Sequence, residues 1–238
     1  MDNYLEYLNE SQKTAVEITS GSTLVLAGAG SGKTRVLTYK LLHLLVKKIL
    51  KPNQILAVTF TNKAASEMKT RVSSMLNFPI DRMWLGTFHS LSLKILRKHY
   101  EKINLKQNFL IIDTDDQIKL IKKICDQLKI DPKEIPPKFF ANAIDSLKNK
   151  GVFADEFKVN KYKSNDEELK KVYKIYQEEL TRINCVDFGD LILLCIRLFR
   201  ENNEIKNYYQ NLFHYILVDE YQDINFIQQK WLEYLYQG

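Results

Sequence analysis

Along the first ninety positions, short unbroken apolar runs are separated by longer stretches in which apolar residues recur every three or four places. TLVLA at 23–27, ILAVTF at 55–60 and MWLGTF at 83–88 have the length and make-up of buried strands. From Thr34 to Leu50 the residues Leu37, Leu41, Leu44, Leu45 and Leu50 mark one helix face, with Lys47 and Lys48 near its end and Pro52 beyond it. Helices are also predicted over Lys63–Leu76 and Ser90–Tyr100. Strands alternating with helices predict a parallel sheet joined by crossover helices.

The middle of the chain has a different rhythm. FLII at 109–112 is followed by TDDQ at 114–117, which reads as a helix-opening capping box, and then by Ile118, Ile121, Ile124 and Leu128 at helical spacing. Pro132, Pro136 and Pro137 punctuate this region, and helical segments are predicted near 139–150 and 166–183. The strand pattern returns at YILV, 215–218, directly before DEYQD, and a helix is expected over Phe226–Tyr236. The reading is an α/β domain of residues 1–99 and 186–238, interrupted by a helical domain of residues 100–185.

Composition adds bounds. The 238 residues include 45% apolar and 27% charged side chains, ordinary for a globular protein. No apolar run approaches the roughly 18 residues of a membrane span, and the amino terminus lacks the apolar stretch of a secretory signal. Cys125, Cys185 and Cys195 show neither paired nor metal-ligand spacing, so the expectation is a cytoplasmic protein with buried thiols. The net charge of +6 is uneven: residues 1–93 and 94–182 each carry +5, and residues 183–238 carry −4. A basic body suits nucleic acid and an acidic end suits a dication, although a lysine-rich surface also serves solubility alone.

Two motifs carry chemistry. AGAGSGKT at 27–34 lies between a predicted strand and a helix start, where a phosphate-binding loop belongs. Gly28, Gly30 and Gly32 let the backbone turn its N–H groups inward, with Ala29 and Ser31 between them. Lys33 would reach the β- and γ-phosphates of ATP, and the Thr34 hydroxyl would hold Mg²⁺. Ala27 stands where the strict pattern has glycine. The second motif is DEYQD at 219–223, in which Asp219 suits Mg²⁺ and Glu220 suits proton acceptance from an attacking water.

The succession LNESQ, AGAGSGKT, TFTNKAASEMK, GTFHSL, DFGDL and DEYQD resembles the amino-terminal part of superfamily 1 DNA helicases of the UvrD/Rep/PcrA type. The resemblance implies a RecA-like P-loop NTPase parallel sheet with an inserted all-helical domain. It also implies ATP and Mg²⁺ as cofactors, and single-stranded DNA and single-/double-strand junctions as partners. By resemblance Gln12 recognises adenine, Arg35 contacts the nucleotide, and Gln222 couples the nucleotide site to the rest of the enzyme. Phe60, Thr61 and Asn62, then Thr87, Phe88, His89 and Ser90, then Asp187 and Phe188, fall in DNA-side motifs. Without the resemblance, Gln12 reads as a polar helix residue, Arg35 as a surface charge, Phe60 as core and His89 as a packing or capping histidine.

Glu10 replaces a usual proline, Gly189 replaces an acidic residue of DFDDL, and Ile224 replaces a usual threonine. The family continues with a further glutamine-bearing motif and a second RecA-like domain that supplies arginines to the phosphates. These 238 residues contain neither, so the expectation is a fragment of a bacterial, nucleoid-associated helicase of repair or replication, with weak nucleotide binding and no unwinding. A subunit of a RecB/AddA-type helicase–nuclease, a non-motor nucleic-acid-binding P-loop module and a generic P-loop ATPase are the alternatives.

Overall fold

In the computed structural model, which describes residues 4–28, 30–76, 78–160, 162 and 165–236, four consecutive apolar residues, Ile55–Val58, form strand β1 and all four are buried. The described residues divide into two compact units. The first takes in the chain up to Leu91, Asn207–Asp223 and the residues from Leu235 onward, and the second takes in Ser92–Lys206 and Ile224–Tyr234.

The first unit contains α1 (Glu10–Glu17), α2 (Lys33–Val46), β1, α3 (Asn62–Met75), β2 (Trp84–Gly86) and β5 (Tyr215–Val218). It also holds the opening turn of α4 (Phe88–Lys98) and the end of α9 (Asn203–Leu212). The three strands form a parallel sheet in the order β2-β1-β5, with Leu56 opposite both Trp84 and Ile216. A central parallel strand is covered on both faces, which is why β1 is an unbroken apolar run. Leu41, Leu44 and Leu45 of α2, and Met68 and Val72 of α3, share a buried core with Ile55 and Ala57. Trp84 packs edge-on against Tyr209 and Phe213, with ring centroids 5.7 and 5.4 Å away.

The second unit contains β3 (Leu110–Ile111), α5 (Thr114–Gln127), α6 (Pro137–Asn149), α7 (Asp166–Arg182), β4 (Cys185–Val186), α8 (Phe188–Glu201) and α10 (Phe226–Leu235). Its two short strands pair in parallel, and Ile121, Phe140, Ile144, Val172 and Tyr176 centre a separate core. The expected insertion of residues 100–185 lies inside this unit, which also takes in α8. That extension follows from packing: Lys148 of α6 pairs with Asp190 of α8, and the Trp231 indole N–H of α10 donates to Cys195 of α8.

The architecture is α/β with parallel sheets, as the strand–helix alternation predicts. Two local expectations are corrected. Residues 22–28 form no strand, and Leu24 and Leu26 are 70% and 86% exposed. An apolar run becomes a strand only through a ladder partner, and none of the described strands pairs with it. The α5 cap is Asp113 rather than Thr114: its carboxylate accepts from the Asp116 amide, which places Thr114 already inside the helix.

Candidate nucleotide site and DNA-facing motifs

The phosphate-loop motif leads straight into α2, whose N-cap is Gly32. Gly30 (φ 76°) and Gly32 (φ 88°) occupy the left-handed region, which glycine enters without a Cβ clash. Ala29 lies outside the described residues. The Ser31 amide and hydroxyl both donate to the Gly28 carbonyl, at 3.3 and 2.6 Å. Among the described residues no side chain caps α2, so the opening N–H groups of that helix suit an anion. Lys33 and Thr34 are half-buried in its first turn, and Arg35 is exposed.

Gln12 reaches this loop from α1. Its carbonyl oxygen accepts from the Asn9 amide at 3.1 Å in a capping box, and its Nε2 donates to the Ser31 carbonyl at 3.0 Å. A Cβ on residue 32 would stand 3.0 Å from that Nε2, so the close approach of Gln12 and the positive φ both favour glycine.

The acidic motif arrives on β5. Because β1, β2 and β5 are parallel, their carboxyl ends lie on one edge of the sheet, the side on which open α/β sheets bind ligands. The Asp219 amide donates to the Val58 carbonyl at 2.9 Å, and its buried carboxylate accepts from the Glu220 amide at 3.1 Å. Burial, and then the Glu220 charge, push the Asp219 carboxyl above the usual range. Glu220 adopts φ 47°, and its carboxylate stands 3.7 Å from the Lys33 ammonium. That ammonium also donates to the Ala27 carbonyl at 3.4 Å. The Gln222 amide donates to the carboxylates of Glu220 and Asp223.

These groups fit Mg·ATP. Among the described residues no cluster of three or more His, Cys, Asp or Glu side chains could cage a metal. Mg²⁺ is typically held by one or two protein oxygens together with substrate phosphates and water, and a hydroxyl with a buried carboxylate is such a set.

The same sheet edge carries the first-unit motifs that the resemblance assigns to DNA. Phe60 follows β1 and is exposed. Thr61 caps α3, its hydroxyl accepting from the Ala64 amide at 3.0 Å, and the Thr87 hydroxyl donates to the Asn62 side chain at 3.5 Å. Ser90 folds back on Thr87 through a 2.9 Å bond from the Thr87 amide. Burial pushes His89 down to about 4, so the ring is neutral at pH 7. Phe88, expected to face DNA, is only 3% exposed; the start of α4 is anchored by that ring, which leaves no face for a base. In the second unit, Phe188 opens α8 at 59% exposure, while Asp187 is buried as its N-cap.

The family profile described as "UvrD/REP helicase N-terminal domain" matches residues 8–238. The chain belongs to that family. It is 43% identical over 225 residues to an ATP-dependent DNA helicase PcrA of Staphylococcus aureus, covering 94% of this chain and 31% of the relative. It is 44% identical over 221 residues to the PcrA helicase of Bacillus subtilis, covering 93% of this chain and 30% of the relative. The chain therefore spans about a third of the length of these relatives.

Two residues of this UvrD/REP-type domain escape a sequence reading. Lys40 of α2 is buried, with no carboxylate partner among the described residues; its ammonium donates to the carbonyls of Ala15 (3.2 Å), Val16 (2.9 Å) and Ile18, which close α1. Burial lowers it to about 8. Lys148 of α6 is wholly buried between Asp187 and Asp190. The signal that could have found them is a lysine set inside an apolar stripe, Lys40 between Val36 and Leu44 and Lys148 four residues after Ile144.

Proposed function

We propose that the chain is the ATP-binding amino-terminal part of an ATP-dependent DNA helicase, a 3′→5′ translocase on single-stranded DNA in bacterial repair or replication. The observation that carries this is the approach of Lys33 to Glu220, with Asp219 beside them at the carboxyl edge of a parallel sheet. In this reading residues 1–99 and 186–238 are the RecA-like domain and residues 100–185 its helical insertion.

The opening amides of α2 would hold the phosphates of ATP. Lys33 leaves Glu220 for the β- and γ-phosphates, and Arg35 contacts the nucleotide. Thr34 and Asp219 would supply the protein oxygens for Mg²⁺, which when bound would neutralise developing phosphate charge. Glu220 accepts the proton of the attacking water as the new O–P bond forms and the bond to ADP breaks. Gln222, bonded to Glu220, relays the state of the site. Gln12 exchanges its bond to Ser31 for the adenine edge.

Phe60, Thr61, Asn62, Thr87 and His89 meet single-stranded DNA on the first unit, and Phe188 meets it on the second, with Phe88 as a support. Translocation and junction unwinding require a second RecA-like domain of the same parent chain, working in the cytoplasm on nucleoid DNA. The 238 residues alone bind nucleotide weakly, hydrolyse little ATP and unwind nothing, because a missing arginine finger typically costs about 10³–10⁵ in rate. Steady-state ATPase assays with and without single-stranded DNA test this. Slow turnover abolished by Glu220→Gln is expected, and brisk strand-stimulated turnover by these residues alone contradicts it.

A further inference from the structure

The turn that opens α8 is pinned from below by three buried charges. Lys148 is wholly buried, and its ammonium donates to Asp187 Oδ2 at 2.6 Å and to Asp190 Oδ1 at 2.7 Å. Asp187 Oδ2 also accepts from the Tyr176 hydroxyl at 2.8 Å, and Asp190 Oδ1 accepts from the Gln177 amide at 3.2 Å. The other two carboxylate oxygens close a reciprocal capping box: Asp187 Oδ1 accepts from the Asp190 amide at 2.9 Å, and Asp190 Oδ2 from the Asp187 amide at 3.2 Å. All four carboxylate oxygens are thus engaged. Burial would lower the Lys148 ammonium, but the two carboxylates outweigh it and hold it above its ordinary value.

Stability alone does not call for this arrangement. A buried ion triad is often no more stabilising than apolar residues of similar volume, whereas it fixes geometry tightly. What it fixes is Phe188, which lies between Asp187 and Asp190 and carries an exposed ring at the first position of the helix. Gly189 completes the device. A Cβ there would stand 3.0 Å from Lys148 Cδ and 3.3 Å from Lys148 Cβ, so the lysine stem runs in the space that any larger residue would claim. Glycine at position 189, where the resemblance has an acidic residue, leaves that space to the Lys148 stem.

We infer that Lys148 is a positioning residue: through Asp187 and Asp190 it locks the opening turn of α8 so that Phe188 is presented as a stacking surface for single-stranded DNA. The inference rests on the DNA-side reading of this motif proposed above.

The test uses the 238-residue chain, oligothymidylate as probe, and a double variant, Lys148→Met with Asp187→Asn. That variant removes one charge of each sign and keeps asparagine, a good N-cap. A Phe188→Trp background reports the turn directly, through the anisotropy of the introduced indole read as the difference from the same chain without it. Phe188→Ala is expected to weaken binding about 5- to 150-fold, the range of one lost base–aromatic stack. The double variant is expected to weaken it about tenfold and to lower the anisotropy of the introduced indole. Because Lys148 is buried, the slope of log affinity against log salt stays unchanged.

Unchanged affinity together with unchanged indole anisotropy overturns the inference, as does a slope reduced by about 0.7, which would make Lys148 a direct phosphate contact. If the double variant fails to fold, Gly189→Ala is the second probe. It pushes on the lysine stem and is expected to loosen the introduced indole and weaken binding several-fold; wild-type behaviour in both readouts overturns the inference. Wild-type binding by Phe188→Ala overturns the DNA reading of the motif instead, and the indole anisotropy then reports on the pin separately.

Discussion

The Lys33 ammonium stands 3.7 Å from the Glu220 carboxylate, joining the start of α2 to the end of β5 across the mouth of the proposed nucleotide site. Both side chains are about one-third exposed, so the pair contributes little to stability, roughly 0–1 kcal/mol. Its significance is charge balance. Each group waits beside the other and would separate when a phosphate takes the lysine.

Glu220 is held at φ 47°, a left-handed conformation costing a non-glycine residue about 1–2 kcal/mol. Glu220→Gly relieves that cost but loses the Lys33 ion pair and the Gln222 hydrogen bond, and it adds backbone freedom to the unfolded chain, about 0.5–1 kcal/mol. Thermal unfolding is therefore expected within a few degrees of the wild-type temperature, with ATP hydrolysis abolished. A clear drop in melting temperature would show that Glu220 is held by more than these contacts.

Gly32 combines φ 88° with the close approach of Gln12 Nε2. Gly32→Ala is expected to cost about 1–2 kcal/mol in stability and to displace Gln12 from the Ser31 carbonyl. Nucleotide titration checks the functional side: affinity falls at least tenfold, whereas Gly21→Ala, which meets the same positive φ without any neighbour within 4 Å, leaves it intact.

Lys40 closes α1 with three hydrogen bonds to carbonyls, and Gln12 sits on that same helix. Lys40→Met strands those carbonyls and is expected to destabilise by about 1–3 kcal/mol. The preference for ATP over GTP should narrow in competition binding, because Gln12, proposed above to read adenine, loses its support. An unchanged preference would detach Gln12 from base recognition.

His89 supplies a pH test. Its folded value is near 4, below the ordinary 6.5 of the unfolded chain, so unfolding takes up a proton between these limits. Its contribution is complete above pH 6.5 and fades as pH falls toward 4. Melting curves at pH 7 and pH 5 should show a smaller acid-induced loss in His89→Gln than in wild type. Equal losses would mean that the ring is already solvated.

Much of the fold was legible because burial writes itself into apolar runs. ILAV and YILV became β1 and β5, and α2, α3 and α10 begin and end within a few residues of their expected places, whereas α9 before β5 has no counterpart among the helices expected from the sequence. TLVLA had an equally apolar pattern but no ladder partner among the described residues, and pairing is a property of two segments rather than one. In the candidate site, local motifs single out Lys33 and Glu220, which the fold brings within 3.7 Å of each other. Lys40 and Lys148 were not legible, since a lysine within a helix ordinarily reads as solvent-facing. Their partners, α1 carbonyls in one case and carboxylates some forty residues away in the other, meet them only once the chain has folded.

The most direct test of the nucleotide site is a titration of a fluorescent ATP analogue into the 238-residue chain, with and without Mg²⁺, beside Lys33→Ala. Saturable binding that Mg²⁺ strengthens and Lys33→Ala abolishes is the predicted result. Binding of equal strength in Lys33→Ala, or indifferent to Mg²⁺, would contradict the assignment of Lys33, Thr34 and Asp219 to Mg·ATP.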